Sequence, residues 1–195
     1  MNVLVLAGSA LATITYFPFW RQIKFGEVKQ NFLTWFLYGI IDSLIFLTII
    51  VQDGNFLLSF VATIGSFITA FFIARSGAIP QWTRFETMIL FMVFGCMIMW
   101  YFSGSKIATI LSTLAMTIAS IPQLVDAWKN PQEMPFLAYI SYFLANSLST
   151  LGGNNWSIEE RFYPASATIV GFISLVFIAR KFFNKETNPI TISRK

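Results

Sequence analysis

The chain has 195 residues, of which 56% are hydrophobic and 11% are charged, and its formal net charge is +4. Charged residues make up about a quarter of a typical soluble protein, so this composition excludes an ordinary soluble domain. The sequence has no His and a single Cys, Cys96. It therefore favours no zinc or haem centre, no disulfide and no Ser-His-Asp or Cys-His hydrolase, and we expect no metal, no cofactor and no enzymatic activity.

Seven apolar stretches follow one another along the chain, and a helix that crosses a bilayer takes about 20 residues. Only the second stretch contains a charge, Asp42. The stretches are residues 1–20, 30–52, 54–74, 87–105, 107–125, 134–158 and 162–179. The sequence therefore predicts an all-α integral membrane protein with seven transmembrane helices and no extramembrane domain. A retinal protein is excluded because the last stretch contains no lysine.

The cations are distributed unequally between the two sides of the membrane. If loops alternate sides, Lys106 and Arg161 lie on one face and the other eleven Lys and Arg residues lie on the opposite face. The eleven are Arg21, Lys24, Lys29, Arg75, Arg84, Lys129, Arg180, Lys181, Lys185, Arg194 and Lys195. Because cytoplasmic loops are enriched in Lys and Arg, we expect the N-terminus outside and the C-terminus in the cytoplasm. This asymmetry explains the positive charge without a nucleic acid partner, and the compact chain suggests a bacterial inner membrane.

The chain also carries an internal duplication. Residues 62–75 match residues 167–180 at nine of fourteen positions, and an offset of 104 pairs Pro18 with Pro122, Tyr38 with Tyr142 and Asp42 with Asn146. Each copy has three spans, so an unpaired span between them gives both copies the same orientation. The predicted architecture is two parallel three-helix bundles joined by a linker helix (3+1+3). Its parts are a first repeat at 1–80, the linker helix at 81–104, a second repeat at 105–185 and a cytoplasmic tail at 186–195.

Residues 120–124 read Ser-Ile-Pro-Gln-Leu and precede a basic loop, whereas residues 16–22 form a degenerate copy with Phe19 in place of the glutamine. With the duplication, this segment resembles the PQ-loop and SWEET (MtN3-like) superfamily of small-solute transporters over nearly the whole chain. The resemblance implies alternating-access transport of a sugar or another small metabolite through a midplane pocket. It also implies that Pro18 and Pro122 act as hinges.

The residues themselves allow two interpretations of these prolines. Each removes a backbone hydrogen bond near the end of a span, which either creates a place to bend or simply ends the helix. Gln123 could satisfy the carbonyl that Pro122 frees, a role that Phe19 cannot fill in the first copy.

Asp42 lies roughly 15 Å along its helix from Phe32, at the bilayer midplane, where an acid is expensive and functional by default. Helical spacing puts aromatic residues on the same face as Asp42 and repeats that stripe beside Asn146. The predicted solute-binding stripes are Trp35, Tyr38 and Asp42, and Tyr139, Tyr142 and Asn146. Nearby hydroxyls could add hydrogen bonds to the solute or hold helices together, and these are Ser43, Ser147, Thr63 and Thr168.

The sequence leaves the role of Asp42 open. The carboxyl could carry a proton, pair with a cationic substrate, or donate a hydrogen bond. The family's sugar carriers place paired asparagines on spans three and seven, whereas this chain offers Ser59, Thr63, Ser66, Thr168 and Ser174 there. A proton-coupled carrier of an amino acid or a cationic metabolite is therefore one alternative, and a non-transporting receptor or sorting protein is another. The expected partners are a small solute and the lipid bilayer. Protons, as coupling ions, and further copies of the same chain are additional candidates.

Overall fold

The computed structural model describes residues 2–26, 32–77 and 82–183. The helices follow in chain order. They are α1 (Val3–Lys24), α2 (Phe32–Ile50), α3 (Leu57–Arg75), α4 (Arg84–Ala119), α5 (Ile121–Lys129), α6 (Phe136–Leu151) and α7 (Ile158–Phe183), with a short 3-10 turn at Pro131–Glu133. The expectation of an all-helical fold is confirmed over these residues.

Within the described ranges, five helical stretches are long and apolar enough to cross a membrane. They are Val3–Lys24, Phe32–Ile50, Leu57–Arg75, Arg84–Lys129 and Ile158–Phe182. The fourth joins α4 and α5 in one stretch of 46 residues, and α6 is an apolar helix of 16 residues. The chain is thus an integral membrane protein with about five candidate spans, while the count of seven and the 3+1+3 order stay predictions.

Local chemistry sets where α4 begins and where it is interrupted. The Thr83 side chain accepts from the Glu86 N–H, and the Glu86 carboxylate accepts from the Thr83 N–H at 2.9 Å, which together form a capping box. The Thr83 hydroxyl also accepts from the Phe85 N–H at 3.1 Å. Gly104 then leaves the helical region at φ 81° and ψ 175°, a left-handed φ that a side chain disfavours. The long stretch therefore consists of two helical segments, 84–103 and 105–119, separated at Gly104.

Each helix packs against a small number of neighbours. Helix α3 lies against both α1 and α2, and α7 lies against α4, α5 and α6. Two further interfaces, α1 with α6 and α2 with α4, join these groups. The core follows a stripe of α2 in which Ile41, Ile45 and Ile49 are fully buried at a spacing of four residues. The outer surface exposes large apolar side chains such as Phe91 and Phe102, as expected for a surface that faces lipid.

Glycine allows α1 and α6 to approach closely. A Cβ at Gly8 would lie 2.6 Å from the carbonyl oxygen of Ala145 and 3.1 Å from the Ser149 nitrogen. These are backbone atoms, so they cannot rotate away from an added methyl group. Small residues commonly permit such backbone contact between membrane helices.

The described members of the predicted cation-rich face lie at helix ends. Arg21 and Lys24 end α1, Arg75 ends α3 and Lys129 ends α5. Arg84 begins α4, and Arg180 and Lys181 lie in the last turn of α7. Lys29, Lys185, Arg194, Lys195 and the predicted tail at 186–195 lie outside the described residues. The predicted domain boundaries and the orientation in the membrane stay predictions.

We expect Gly8→Ala to destabilise the fold by about 1–3 kcal/mol, because overpacking against fixed backbone forces α1 and α6 apart. Thermal unfolding of the purified protein in detergent measures the effect. Gly95→Ala is the matched control, since a Cβ at Gly95 meets nothing within 4 Å and alanine favours a helix by about 1 kcal/mol. Equal melting temperatures for the two variants would contradict the close contact between α1 and α6.

Candidate functional site

Asp42 is 1% exposed and accepts a hydrogen bond at each carboxylate oxygen. The Ser66 hydroxyl of α3 donates to Oδ2 at 3.1 Å, and the Tyr163 hydroxyl of α7 donates to Oδ1 at 3.3 Å. A buried carboxyl is costly unless such donors reach it, so the acid draws α2, α3 and α7 together. In the described part of the chain, no group of three His, Cys, Asp or Glu side chains could hold a metal ion.

Tyr16 brings α1 into the same cluster. Its ring occupies the space that a side chain at Gly65 would need, one residue before Ser66. The polar cluster, which we define as Tyr16, Asp42, Ser66 and Tyr163, therefore draws on four helices. Sequence reasoning assigned no role at the site to Tyr16 or Tyr163. The available signals were a tyrosine two residues before Pro18 and a tyrosine at the start of the last apolar stretch.

Tyr38 is buried, but its hydroxyl is already engaged. It donates to the Ala119 carbonyl at 2.5 Å, at the junction between α4 and α5. The Trp35 ring packs edge-on against Tyr38 with ring centroids 5.8 Å apart. Trp35 and Tyr38 are therefore neighbours on α2, and Tyr38 links α2 to the segment that carries Pro122.

The second predicted stripe is held mainly within its own part of the chain. Asn146 is buried, and its Nδ2 donates to the Tyr142 carbonyl of the same helix at 2.7 Å. Tyr139 accepts from Gln123 Nε2 at 3.0 Å, whereas Tyr142 is 37% exposed. No hydrogen bond among the described residues joins Asn146 to Asp42, so the two predicted stripes do not form one hydrogen-bonded network.

The four predicted hydroxyl residues donate to carbonyls of their own helices. These bonds run from Ser43 to Gly39, Ser147 to Phe143, Thr63 to Ser59 and Thr168 to Pro164, at 2.6–2.9 Å. Thr168 also meets the Thr150 hydroxyl of α6 at 3.3 Å. That second contact fits the interpretation of Thr168 as a residue that holds two helices together.

The two prolines occupy different backbone contexts. Pro18 lies inside an uninterrupted α1, whereas Pro122 follows the interruption at Ser120 between α4 and α5. The expectation for Gln123 requires correction. Its amide donates to the Tyr139 hydroxyl, because that side chain lies within reach across the turn, instead of bonding the carbonyl that Pro122 frees. Only the second copy therefore combines the proline with a helix break.

The loop between α2 and α3 is hydrogen-bonded to the end of α6 and the start of α7. Asn55 Nδ2 donates to the Ser149 hydroxyl at 3.2 Å, and the Asn55 N–H donates to the Glu159 carbonyl at 3.2 Å. A Cβ at Gly54 would lie 2.5 Å from the same Glu159 carbonyl. We call Asn55, Ser149 and Glu159 the end clamp. It lies at the opposite end of α2 from Tyr38.

Two openings lie near these contacts. A cavity of about 180 Å³ beside the end clamp has polar lining that includes Asn2, Asp53, Asn154 and Glu160. A second opening, of about 20 Å³, lies between α4, α6 and α7 and has room for roughly one water molecule. Tyr142 and Tyr163 both line it, so it reaches the polar cluster from the side of α7.

Comparisons with known proteins add no relative. No protein-family model matches the chain, and no match was found among curated proteins or solved structures. The resemblance to the PQ-loop and SWEET superfamily therefore stays a prediction, and the functional argument rests on the geometry described above.

We expect Tyr163→Phe to lower the free energy of unfolding by about 1–3 kcal/mol, because it leaves Asp42 Oδ1 without its donor in a buried site. Chemical or thermal unfolding in detergent measures the loss. The matched control is Tyr101→Phe, which removes a hydroxyl from a side chain that is 85% exposed. The same change introduced together with Asp42→Asn should cost less than it does alone, and fully additive effects would contradict the contact between Asp42 and Tyr163.

Proposed function

We propose that this chain is an alternating-access membrane transporter of a small polar solute, such as a sugar or another small metabolite. In this proposal, two three-helix repeats move relative to one another about the polar cluster. The observation that carries the proposal is the buried hydrogen bond between Asp42 of the first repeat and Tyr163 of the second. A polar contact at this depth gives a solute somewhere to bind between the repeats.

The contacts of α4 with α2 support seven crossings. Glu86 accepts from Thr34 near the start of α2, Thr109 accepts from Gln52 beyond the end of α2, and Ala119 accepts from Tyr38. The segment that contains Thr109 and Ala119 thus runs antiparallel to α2, which fits a reversal of the chain at Gly104. A straight helix of 46 residues would measure roughly 69 Å, more than twice the hydrocarbon thickness, so two crossings fit it better than one.

The packing order supports two parallel repeats. In the first, α3 lies between α1 and α2; in the second, α7 contacts both α6 and the segment formed by α4 and α5. The interfaces between the repeats are then α1 with α6 and α2 with α4. Each repeat offers its first and second helices to the other, which is what parallel repeats related by an axis along the membrane normal would do.

Hydrogen bonds join the proposed repeats at three levels. The end clamp lies at one end, and Asp42 and Tyr163 lie between. Tyr38 bonds Ala119 toward the opposite end, which carries Pro18 and Pro122 and which we call the proline end. Each such bond contributes about 1 kcal/mol net, so one end can open while the other stays closed. The proline end carries Arg21, Lys24, Lys129, Arg180 and Lys181. In this proposal it faces the cytoplasm, and the membrane is a bacterial inner membrane.

A proton-coupled carrier of an amino acid or a cationic metabolite is the second candidate. Asp42 has an uncharged counterpart of nearly the same shape in Asn146. That asymmetry between the repeats favours a role for the carboxyl in exchanging a proton or holding a cation. A receptor without transport would bind a solute and move none, which separates it from both candidates.

Uptake into proteoliposomes tests the proposal. We expect wild-type protein to move at least one solute from a panel of hexoses, a disaccharide, neutral and basic amino acids and a nucleoside. If Asp42 couples protons, an inward acid gradient will stimulate uptake and Asp42→Asn will abolish that stimulation. Asp126→Asn, which removes an exposed acid of α5, is the matched control. Saturable binding without flux would replace the transporter with a receptor.

Locking the end clamp should stop transport, because alternating access requires that end to open. We expect a short thiol-specific cross-linker to inhibit a variant with Asn55→Cys, Ser149→Cys and Cys96→Ser by at least tenfold in an uptake assay. The control pair is Phe46→Cys with Phe60→Cys, whose rings lie 5.3 Å apart within the first repeat. Equal uptake in both cross-linked variants would show that the clamp end does not open during transport.

A further inference from the structure

Thr113 has a buried hydroxyl that the fold leaves unused. The residue is 1% exposed, and its Oγ1 has no hydrogen-bond partner among the residues that the structure describes. An unpaired hydroxyl in an apolar interior is unfavourable, and such groups in native proteins call for an explanation. Thr113 also lines the 20 Å³ opening between α4, α6 and α7. We call this opening the hydroxyl cleft, because six of its lining residues carry hydroxyls: Thr113, Thr117, Ser120, Tyr142, Tyr163 and Ser166.

Three of the other hydroxyls have already committed their protons. Thr117 donates to the Thr113 carbonyl at 2.9 Å, and Ser120 donates to the Thr117 carbonyl at 2.7 Å. Tyr163 donates to Asp42. A hydroxyl has one proton to donate and two lone pairs to accept with, so these three oxygens can only accept from whatever enters the cleft.

We propose that the hydroxyl cleft is a solute subsite that takes one hydrogen-bond donor group, either a hydroxyl or a protonated amine, with Thr113 as a direct ligand. This inference rests on the proposed transport function and names the solute chemistry for it. The cleft has room for roughly one water molecule, which is about the size of one such group. The rest of the solute lies in space that opens when the repeats separate.

The same geometry selects against anions. A carboxylate or phosphate would bring further acceptors to Thr117, Ser120 and Tyr163, whose protons are already committed, which leaves fewer donors for it than the cleft offers acceptors to a hydroxyl or an amine. The Asp42 carboxyl also lies directly behind Tyr163. No Lys or Arg is among the residues that line the cleft. A neutral polyol or an amine is therefore favoured over an organic acid.

Ser112 provides a matched control for Thr113. It is the preceding residue of α4, is equally buried, and its hydroxyl also has no hydrogen-bond partner within the described part of the chain. It does not line the cleft. Thr113→Val and Ser112→Ala each remove one unpaired buried hydroxyl, and only the first removes a hydroxyl from the subsite.

The experiment measures both binding and flux on the full-length chain. Glucose, putrescine and succinate are tested as a polyol, a protonated amine and an acid, by thermal shift in detergent and by uptake into proteoliposomes. We expect glucose or putrescine to bind and be transported, and succinate to do neither. Thr113→Val should weaken the apparent affinity for the transported solute by about fivefold, whereas Ser112→Ala should leave it unchanged.

The outcomes separate the two proposals. If glucose or putrescine is transported and the two variants have the same affinity, or if succinate is transported equally well, the subsite is wrong while the transporter stands. If either solute binds without flux and Thr113→Val weakens that binding, the subsite stands and transport fails. If wild-type protein neither binds nor moves glucose or putrescine, the subsite fails, and the transporter fails with it if no other solute of the uptake panel is moved.

Discussion

A carboxyl group buried within apolar helices must be supplied with hydrogen-bond donors, and the centre of this protein is arranged to supply them to Asp42. Ser66 and Tyr163 each serve one carboxylate oxygen, and these residues come from helices that are far apart in the sequence. Tyr16 then packs in the space left by Gly65, one residue before Ser66. Replacing Asp42, Ser66 or Tyr163 leaves another buried polar group without a partner, so the relative positions of α2, α3 and α7 depend on these bonds.

The contacts around this cluster differ in kind. Close backbone packing joins α1 to α6 through Gly8, as expected where lipid provides no hydrophobic force between helices. The hydrogen bonds from α2 and the loop after it to the proposed second repeat are few: Tyr38 bonds Ala119, Asp42 accepts from Tyr163, Gln52 bonds Thr109 and Asn55 bonds Ser149. A structure held together by a few separated hydrogen bonds can exchange one set for another at small cost. This property is the physical basis of the transport mechanism that we propose.

The sequence predicted the helices better than it predicted their faces. Uncharged runs located α2 and α3 within a few residues, because a helix in lipid needs a long apolar stretch. Helix α7 begins before its predicted run since Glu159 and Glu160 lie in its first turn, where acids favour a helix. The predicted run 134–158 extends past the end of α6, because residues 152–157 carry no charge and still lie outside the helix. A prediction that ends each span at a charged residue cannot place this boundary.

Side-chain partners were harder to predict, since both the lipid-facing and the buried sides of a membrane helix are apolar. The burial of Asp42 and Asn146 agrees with the sequence-based expectation. The donors to Asp42 depend on how α3 and α7 are rotated about their own axes. The hydrophobic pattern of this chain does not indicate that rotation. The sequence assigned Tyr38 to solute binding and Gln123 to the carbonyl that Pro122 frees. In the structure, Tyr38 donates to the Ala119 carbonyl and Gln123 donates to the Tyr139 hydroxyl.

The central claim is that the two ends of the repeat interface open alternately. Pulsed electron paramagnetic resonance on spin labels tests it most directly, with one pair at Asp53 and Trp156 near the end clamp and another at Phe25 and Lys129 near the proline end. All four side chains are exposed. Cys96→Ser removes the native thiol, so the spin labels attach only to the introduced cysteines. A transported solute should shift the two distance distributions in opposite directions. Distances that stay single and unchanged at both ends, with solute and without it, would contradict the account.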